Sequence, residues 1–113
     1  MSKLTTSITE FLSILGDPVR FEIIKLLRNT RKTAKEIEEA LEISQSYTSQ
    51  QLKVLAKWHL IAYEKNDENV RVYSIVNQNI FKVINIIQSF VLEQKKQEYE
   101  KLLDENKLET LRI

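Results

Sequence analysis

From Gln45 to Lys57 the chain reads QSYTSQQLKVLAK, a run of amides, hydroxyls and ammonium groups without one carboxylate, in a sequence that holds 16 acids. Wound as a helix at about 100° per residue, it puts Thr48, Leu52 and Leu55 on one face. Ser46, Gln50, Lys53 and Lys57 lie opposite, with Tyr47 and Ser49 on the flanks and Gln45 at the start. These are the groups that meet nucleic acid. Gln pairs bidentately with adenine, Ser serves base edges or phosphates, and Lys favours guanine or phosphate. Any surface helix has a solvated polar face; the lack of acids sets this one apart.

The charges around it agree. Residues 20–35 hold Arg20, Lys25, Arg28, Arg31, Lys32 and Lys35 against Glu22, whereas residues 36–42 hold Glu36, Glu38, Glu39 and Glu42 and no base. Most of these side chains need be no more than solvated. Arg31, Lys32 and Lys35, however, precede the polar helix, where phosphate contacts are expected. Further on, Lys65 and Arg71 flank a loop whose tip carries Asp67 and Glu68. Two acids make that tip a poor minor-groove probe, so phosphate contact by Lys65 or Arg71 is the extent of its expected role.

Other chemistries lack their residues. The 113 residues contain no Cys, one His and one Gly. That excludes disulfides, thiolate metal sites and Cys nucleophiles. It also excludes a His triad or a multi-His metal site within one chain, and Gly-rich phosphate loops. No cofactor is expected. Seventeen Lys plus Arg leave a net charge of +1, which names no partner by itself. With 42% apolar and 29% charged residues the chain is an ordinary single-domain globular protein. Its N-terminus, MSKLTTSITEFLSILGD, is apolar only at intervals and carries Glu10, unlike a signal peptide. No apolar run is long enough to span a membrane, so the expected setting is the cytoplasm.

The elements that must position the polar helix can be read from periodicity. Leu4, Ile8, Phe11, Leu12 and Leu15 mark a first helix, stopped by Gly16 in a left-handed cap. Asp17-Pro18 reads as cap and first turn of a second helix, VRFEIIKLLRN, with Val19, Ile23, Ile24, Leu26 and Leu27 inward. Thr33-x-x-Glu36 is a capping box that opens a third, with Ile37, Ala40 and Leu41 inward. Ser44 caps the fourth, about Gln45 to Lys57. Then the period changes: IAYEK and VRVYSI are strand-like runs joined by Asn66-Asp67-Glu68-Asn69. Asn77 caps a last helix striped by Ile80, Val83, Ile84, Ile87, Phe90 and Val91. Beyond Leu92 the stripe thins to Tyr99, Leu102 and Leu103 among alternating charges, a solvated helix inclined to fray. The fold expected is mainly α with a β-hairpin wing, a winged helix-turn-helix in the order ααααββα. Residues 1–92 form the folded domain and 93–113 a charged helical extension.

Two segments carry a family resemblance. Gly16 to Leu27, GDPVRFEIIKLL, resembles the opening of the ArsR family of bacterial and archaeal repressors, and Ser44 to Leu55, SQSYTSQQLKVL, resembles that family's recognition helix. The likeness covers about residues 10–92. It implies a homodimeric transcriptional repressor that binds double-stranded DNA and dimerises through its first and last helices. The last-helix stripe is also too apolar for one side of a small monomer. Leu4, Ile8, Phe11 and Leu15 with Ile80, Ile84, Ile87 and Val91 are therefore the expected dimer interface, closed by a two-fold axis. Two readings compete: a winged helix used only as a protein-interaction module, and a small enzyme, for which no paired acids or nucleophile are in view. A winged-helix family with longer dimerisation helices is the further option within the leading class.

The departures concern the inducer, which the chain does not name. Where metal-sensing members carry two thiolates at the third helix, Thr33 and Lys35 stand; at their other common site the sequence offers Asn77, Asn79, Phe90 and Glu93. Amides, a phenyl ring and an ammonium do not hold Zn²⁺. His59, where the family has Gly, reads as a left-handed cap rather than a ligand. Equilibrium dialysis should thus find no tight, chelator-reversible Zn²⁺ binding. Modest excesses of Zn²⁺, Cd²⁺ or arsenite should leave DNA affinity unchanged; stoichiometric Zn²⁺ uptake would show that a ligand set, such as a His59 pair across a dimer, was missed.

Overall fold

Each of the first four helices starts where a short polar side chain takes up orphan backbone donors. In the computed structural model, which describes residues 1–111, the Ser2 hydroxyl accepts from the Thr5 amide and opens α1, Lys3–Leu15. The Asp17 carboxylate accepts from Val19 and Arg20 at 3.0 Å each and opens α2, Pro18–Leu26. Thr33 and Glu36 form the expected capping box at the head of α3, Ala34–Leu41. Ser44 caps α4, Gln45–Lys57. The hairpin follows as β2, Ile61–Lys65, and β3, Arg71–Ile75. A short strand that periodicity did not predict, β1 (Lys32–Thr33), pairs antiparallel with β3, Lys32 opposite Tyr73, giving the sheet order β1-β3-β2. Two residues carry no readable alternation, and only their partner strand makes them β.

The winged helix-turn-helix with a small antiparallel sheet is thus the observed fold. These elements form one unit, residues 1–78; Asn79 onward forms a second, built on α5 (Ile80–Leu111). Ile23, Ile24, Leu27, Ile37 and Leu55 have no accessible surface, and Leu52 and Ile61 nearly none. No described helix is long and apolar enough to cross a membrane.

Several local expectations need correction. Gly16 is not left-handed: its φ is −74°, and α1 ends straight because its terminal carbonyls are taken by a side chain, Arg20. Space is the tighter constraint there, since a Cβ would lie 3.0 Å from the Leu12 carbonyl oxygen. Among the described residues the left-handed ones are Asn29, Glu42, His59 and Asn69, so His59, just past the Trp58 cap of α4, has the left-handed backbone its position suggested. α2 stops at Leu26, ahead of Asn29 at φ 54°. Ala40 is exposed, not inward, and Leu41 half-buried. α5 starts at Ile80, and the Asn79 carbonyl before it accepts from the Lys82 and Val83 amides. It runs unbroken past residue 92. Residues 112 and 113 lie outside the described residues.

The capping box is exposed to a simple test. Thr33→Ala should cost about 1 kcal/mol in urea denaturation at neutral pH. The Thr33 amide, donating to Glu36 Oε1 at 2.9 Å, together with the Thr33 side chain, holds the Glu36 carboxyl below its ordinary range. A depressed folded pKa means stabilisation present above the unfolded carboxylate value and lost as pH falls through the folded one. The wild-type advantage over Glu36→Gln should therefore shrink on acidification, as paired denaturation curves at pH 7 and pH 3 would show.

Candidate nucleic-acid interface

The face of α4 that the sequence singled out is open. Gln45, Ser46, Ser49, Gln50, Lys53 and Lys57 are exposed and Tyr47 is half-buried. Opposite them Thr48 has no accessible surface; its hydroxyl donates to the Ser44 carbonyl at 2.8 Å, reinforcing the first turn. Leu52 and Leu55 are buried as expected. The turn into α4 is short because Glu42 adopts φ 55°, reversing the chain straight after α3, and Ser44 resumes the helix two residues later. Such a residue accepts strain that glycine would avoid.

A groove of about 760 Å³ lies between α4, the head of α3 and the wing. Lys35, Gln45, Ser49 and Arg71 line it, and Glu38 and Glu68 share it. A second groove of about 400 Å³ continues along α4 past Ser49, Lys53 and Lys57, with Tyr63 and Arg71 on the wing side. Arg71 therefore borders both. Its guanidinium lies 4.3 Å over the Tyr63 ring, a cation–π distance. A hydrogen bond that Arg71 donates to the Tyr73 side-chain oxygen, and then the nearness of the Tyr63 and Tyr73 oxygens, raise its pKa further, so it stays charged.

Not every predicted contact gathers here. Arg31 and Lys65 line a separate depression of about 260 Å³ with Glu64 and Asp67, and Arg31 is 3.9 Å from Glu64. Lys32 is half-buried in β1. At the wing tip the Asn66 side chain accepts from the Glu68 and Val70 amides, and Asn69 is left-handed at φ 63°.

Among the residues assigned to a dimer interface, Leu15, Ile80 and Ile84 are already buried in the protomer, and Phe11 is half-buried against Trp58, ring centroids 6.0 Å apart. Leu4, Ile8 and Val91 remain exposed, joined by Leu12 on α1 and Ile86, Phe90 and Leu92 on α5; Ile87 is intermediate.

One residue escaped sequence reasoning. Gln51 is buried, and its Oε1 accepts from Arg20 Nη1 at 2.9 Å. Its angular position lies on the core side of α4, the one available clue, but its polarity argued otherwise. Among the described residues no three His, Cys, Asp or Glu side chains come together as a metal cluster.

Known proteins resemble both the sequence and the fold. Residues 17–63 match the bacterial regulatory protein, arsR family. A curated relative, the transcriptional repressor SmtB homolog of Synechocystis sp., is 26% identical over 84 residues, 74% of this chain and 63% of the relative, so the chain spans less than two thirds of that protein. The crystal structure of Rv0081 from M. tuberculosis superposes with a TM-score of 0.80 at 23% identity, covering 87% of this chain and 98% of that one. Mb0332 from Mycobacterium bovis, a homodimeric winged helix-turn-helix DNA-binding domain and possible ArsR-family regulator, gives 0.73 at 17% identity over 86% and 93%. These matches are to regulatory proteins, not to enzymes. α3, its left-handed turn and α4 all lie inside the segment, residues 17–63, that is similar to the bacterial regulatory protein, arsR family.

Proposed function

We propose that this protein is a sequence-specific reader of double-stranded DNA that acts in the cytoplasm as a homodimeric transcriptional repressor. The observation that carries the reading is the open, carboxylate-free face of α4 beside a groove whose far wall presents Arg71. In the major groove such a helix uses Gln50 and Ser46, one turn apart on the outermost line, for base edges. Lys35, Lys53 and Arg71 border the same surface and supply phosphate contacts. Arg31 contributes less, because Glu64 offsets its charge. Lys32, half-buried, acts through its backbone in β1 more than through its charge. Glu38 and Glu68 in the groove work against indiscriminate binding to phosphate and favour a seated complex over a loose one.

Gln50→Ala should weaken binding by roughly 1–3 kcal/mol per half-site on the preferred duplex and little on a scrambled one. Lys35→Ala should weaken both alike and reduce the slope of log K against log salt by about one. Arg31→Ala should fall well short of Lys35→Ala. Fluorescence-anisotropy titrations at several salt concentrations measure all three. If Gln50→Ala and Lys35→Ala both bind as wild type, α4 does not read DNA and the domain serves protein interaction instead.

Dimerisation is supported by the apolar side chains left in solvent on α1 and on α5 and by the homodimeric state of Mb0332. An exposed apolar set of this kind is costly for a free monomer, and a two-fold axis doubles each contact. Phe90 is 61% exposed in the protomer, so Phe90→Asp leaves the core intact. Analytical ultracentrifugation should show a folded monomer for Phe90→Asp and a dimer for wild type; a dimer in both would remove α5 from the interface. The buried Ile84 is unsuitable, since a charge there unfolds the chain.

A further inference from the structure

α4 is joined to α1 by two contacts that make no use of its outward face. At its middle, the buried Gln51 accepts from Arg20 Nη1 at 2.9 Å. The same guanidinium donates through Nε to the Ile14 carbonyl at 2.8 Å and through Nη2 to the Ser13 carbonyl at 3.4 Å, both in the last turn of α1. At its C-terminal end, Trp58 caps α4 and lies against Phe11 of α1. Arg20 is itself held in the first turn of α2 by Asp17, whose carboxylate accepts its amide. A planar fork with several donors in fixed directions suits this three-way bridge, and a cation at the negative end of α1 is electrostatically favoured.

From this geometry we infer that Arg20 and Gln51 are positioning residues for DNA recognition: they set the rotation of α4 about its own axis and make it depend on where α1 lies. Rotation is what matters for readout. Since Cβ atoms on a helix step by about 100°, a small turn of α4 moves Ser46 and Gln50 off the base edges while leaving Lys53 within reach of phosphate. The two contacts lie on one helix seven residues apart, so between them they fix both the rotation and the tilt. Whatever covers the exposed Leu4, Ile8 and Leu12 of α1 is thereby coupled to the reading face, a two-site linkage carried by a hydrogen-bonded fork and an aromatic pair.

This inference rests on the DNA reading above, and its test separates the two. The probe duplex is the one enriched from a random-sequence pool by the wild-type protein, with a scrambled duplex as reference. Gln51→Met keeps the side-chain length and removes the acceptor; Gln51→Glu keeps an acceptor for Arg20. With folding verified by circular dichroism, Gln51→Met should lower the ratio of enriched to scrambled affinity about tenfold while scrambled binding stays put, and Gln51→Glu should restore it. Arg20→Lys should resemble Gln51→Met, because one ammonium cannot span the amide and two carbonyls. Trp58, the sole tryptophan, gives a readout without DNA. Its emission and anisotropy should shift in Gln51→Met and Arg20→Lys and return in Gln51→Glu. A folded Gln51→Met with wild-type ratio and wild-type Trp58 emission overturns the inference, as does an equal loss in Gln51→Met and Gln51→Glu. If the wild-type protein enriches no duplex, the DNA reading fails, and the Trp58 signal alone decides whether the clamp holds α4.

Discussion

The guanidinium of Arg20 ties the end of α1 and the middle of α4 to the first turn of α2. It takes two carbonyls that the end of α1 cannot satisfy within the helix, and it reaches an amide oxygen on α4. Each bond alone is worth little net free energy; left unmade in a part-buried place, each group would cost more. The fork thus explains three features at once. α1 ends without a left-handed cap, Gly16 is kept for closeness rather than for its φ, and a Gln is tolerated within the buried side of α4.

The turns follow a second economy. With one glycine in the chain, the left-handed positions fall to Asn29, Glu42, His59 and Asn69. Asn adopts this conformation more readily than most residues; Glu has no such advantage. The strain at Glu42 sits in the turn that sets α3 against α4, and at His59 in the step from α4 to the wing. Both are offset by the packing of Ile37, Leu52, Leu55 and Ile61 on either side. The turns at either end of α4 are therefore held by core burial, with local backbone preference working against them.

Charge at the surface is arranged by pairing as well as by number. Arg31 is drawn to Glu64, Lys25 to Glu22, and Lys95 and Lys96 to Glu98 and Glu100. Such exposed pairs contribute little stability, but they engage part of the basic surface. Lys35, Lys53 and Arg71 border the grooves beside α4, and the stack on Tyr63 gives Arg71 a fixed direction that a long side chain otherwise lacks.

Much of this was legible in the residues themselves. Caps announce their helices through local chemistry, so Asp17, Thr33 and Ser44 located α2, α3 and α4 nearly to the residue. The face of α4 followed from its period, because a helix fixes angular positions without reference to neighbours. Interactions between distant segments were not legible. Arg20 counted as one basic residue among several until its partner, 31 residues away, came beside it. β1 became a strand only through β3. Arg31 and Lys35 looked equivalent in sequence and line different depressions in space. The apolar stripes on α1 and α5 could not reveal which members the protomer buries, since periodicity reports a face and not its occupant. Local geometry is dictated by nearest neighbours along the chain; the assignment of partners belongs to the tertiary structure, where each polar group takes whichever complement the packing brings within reach.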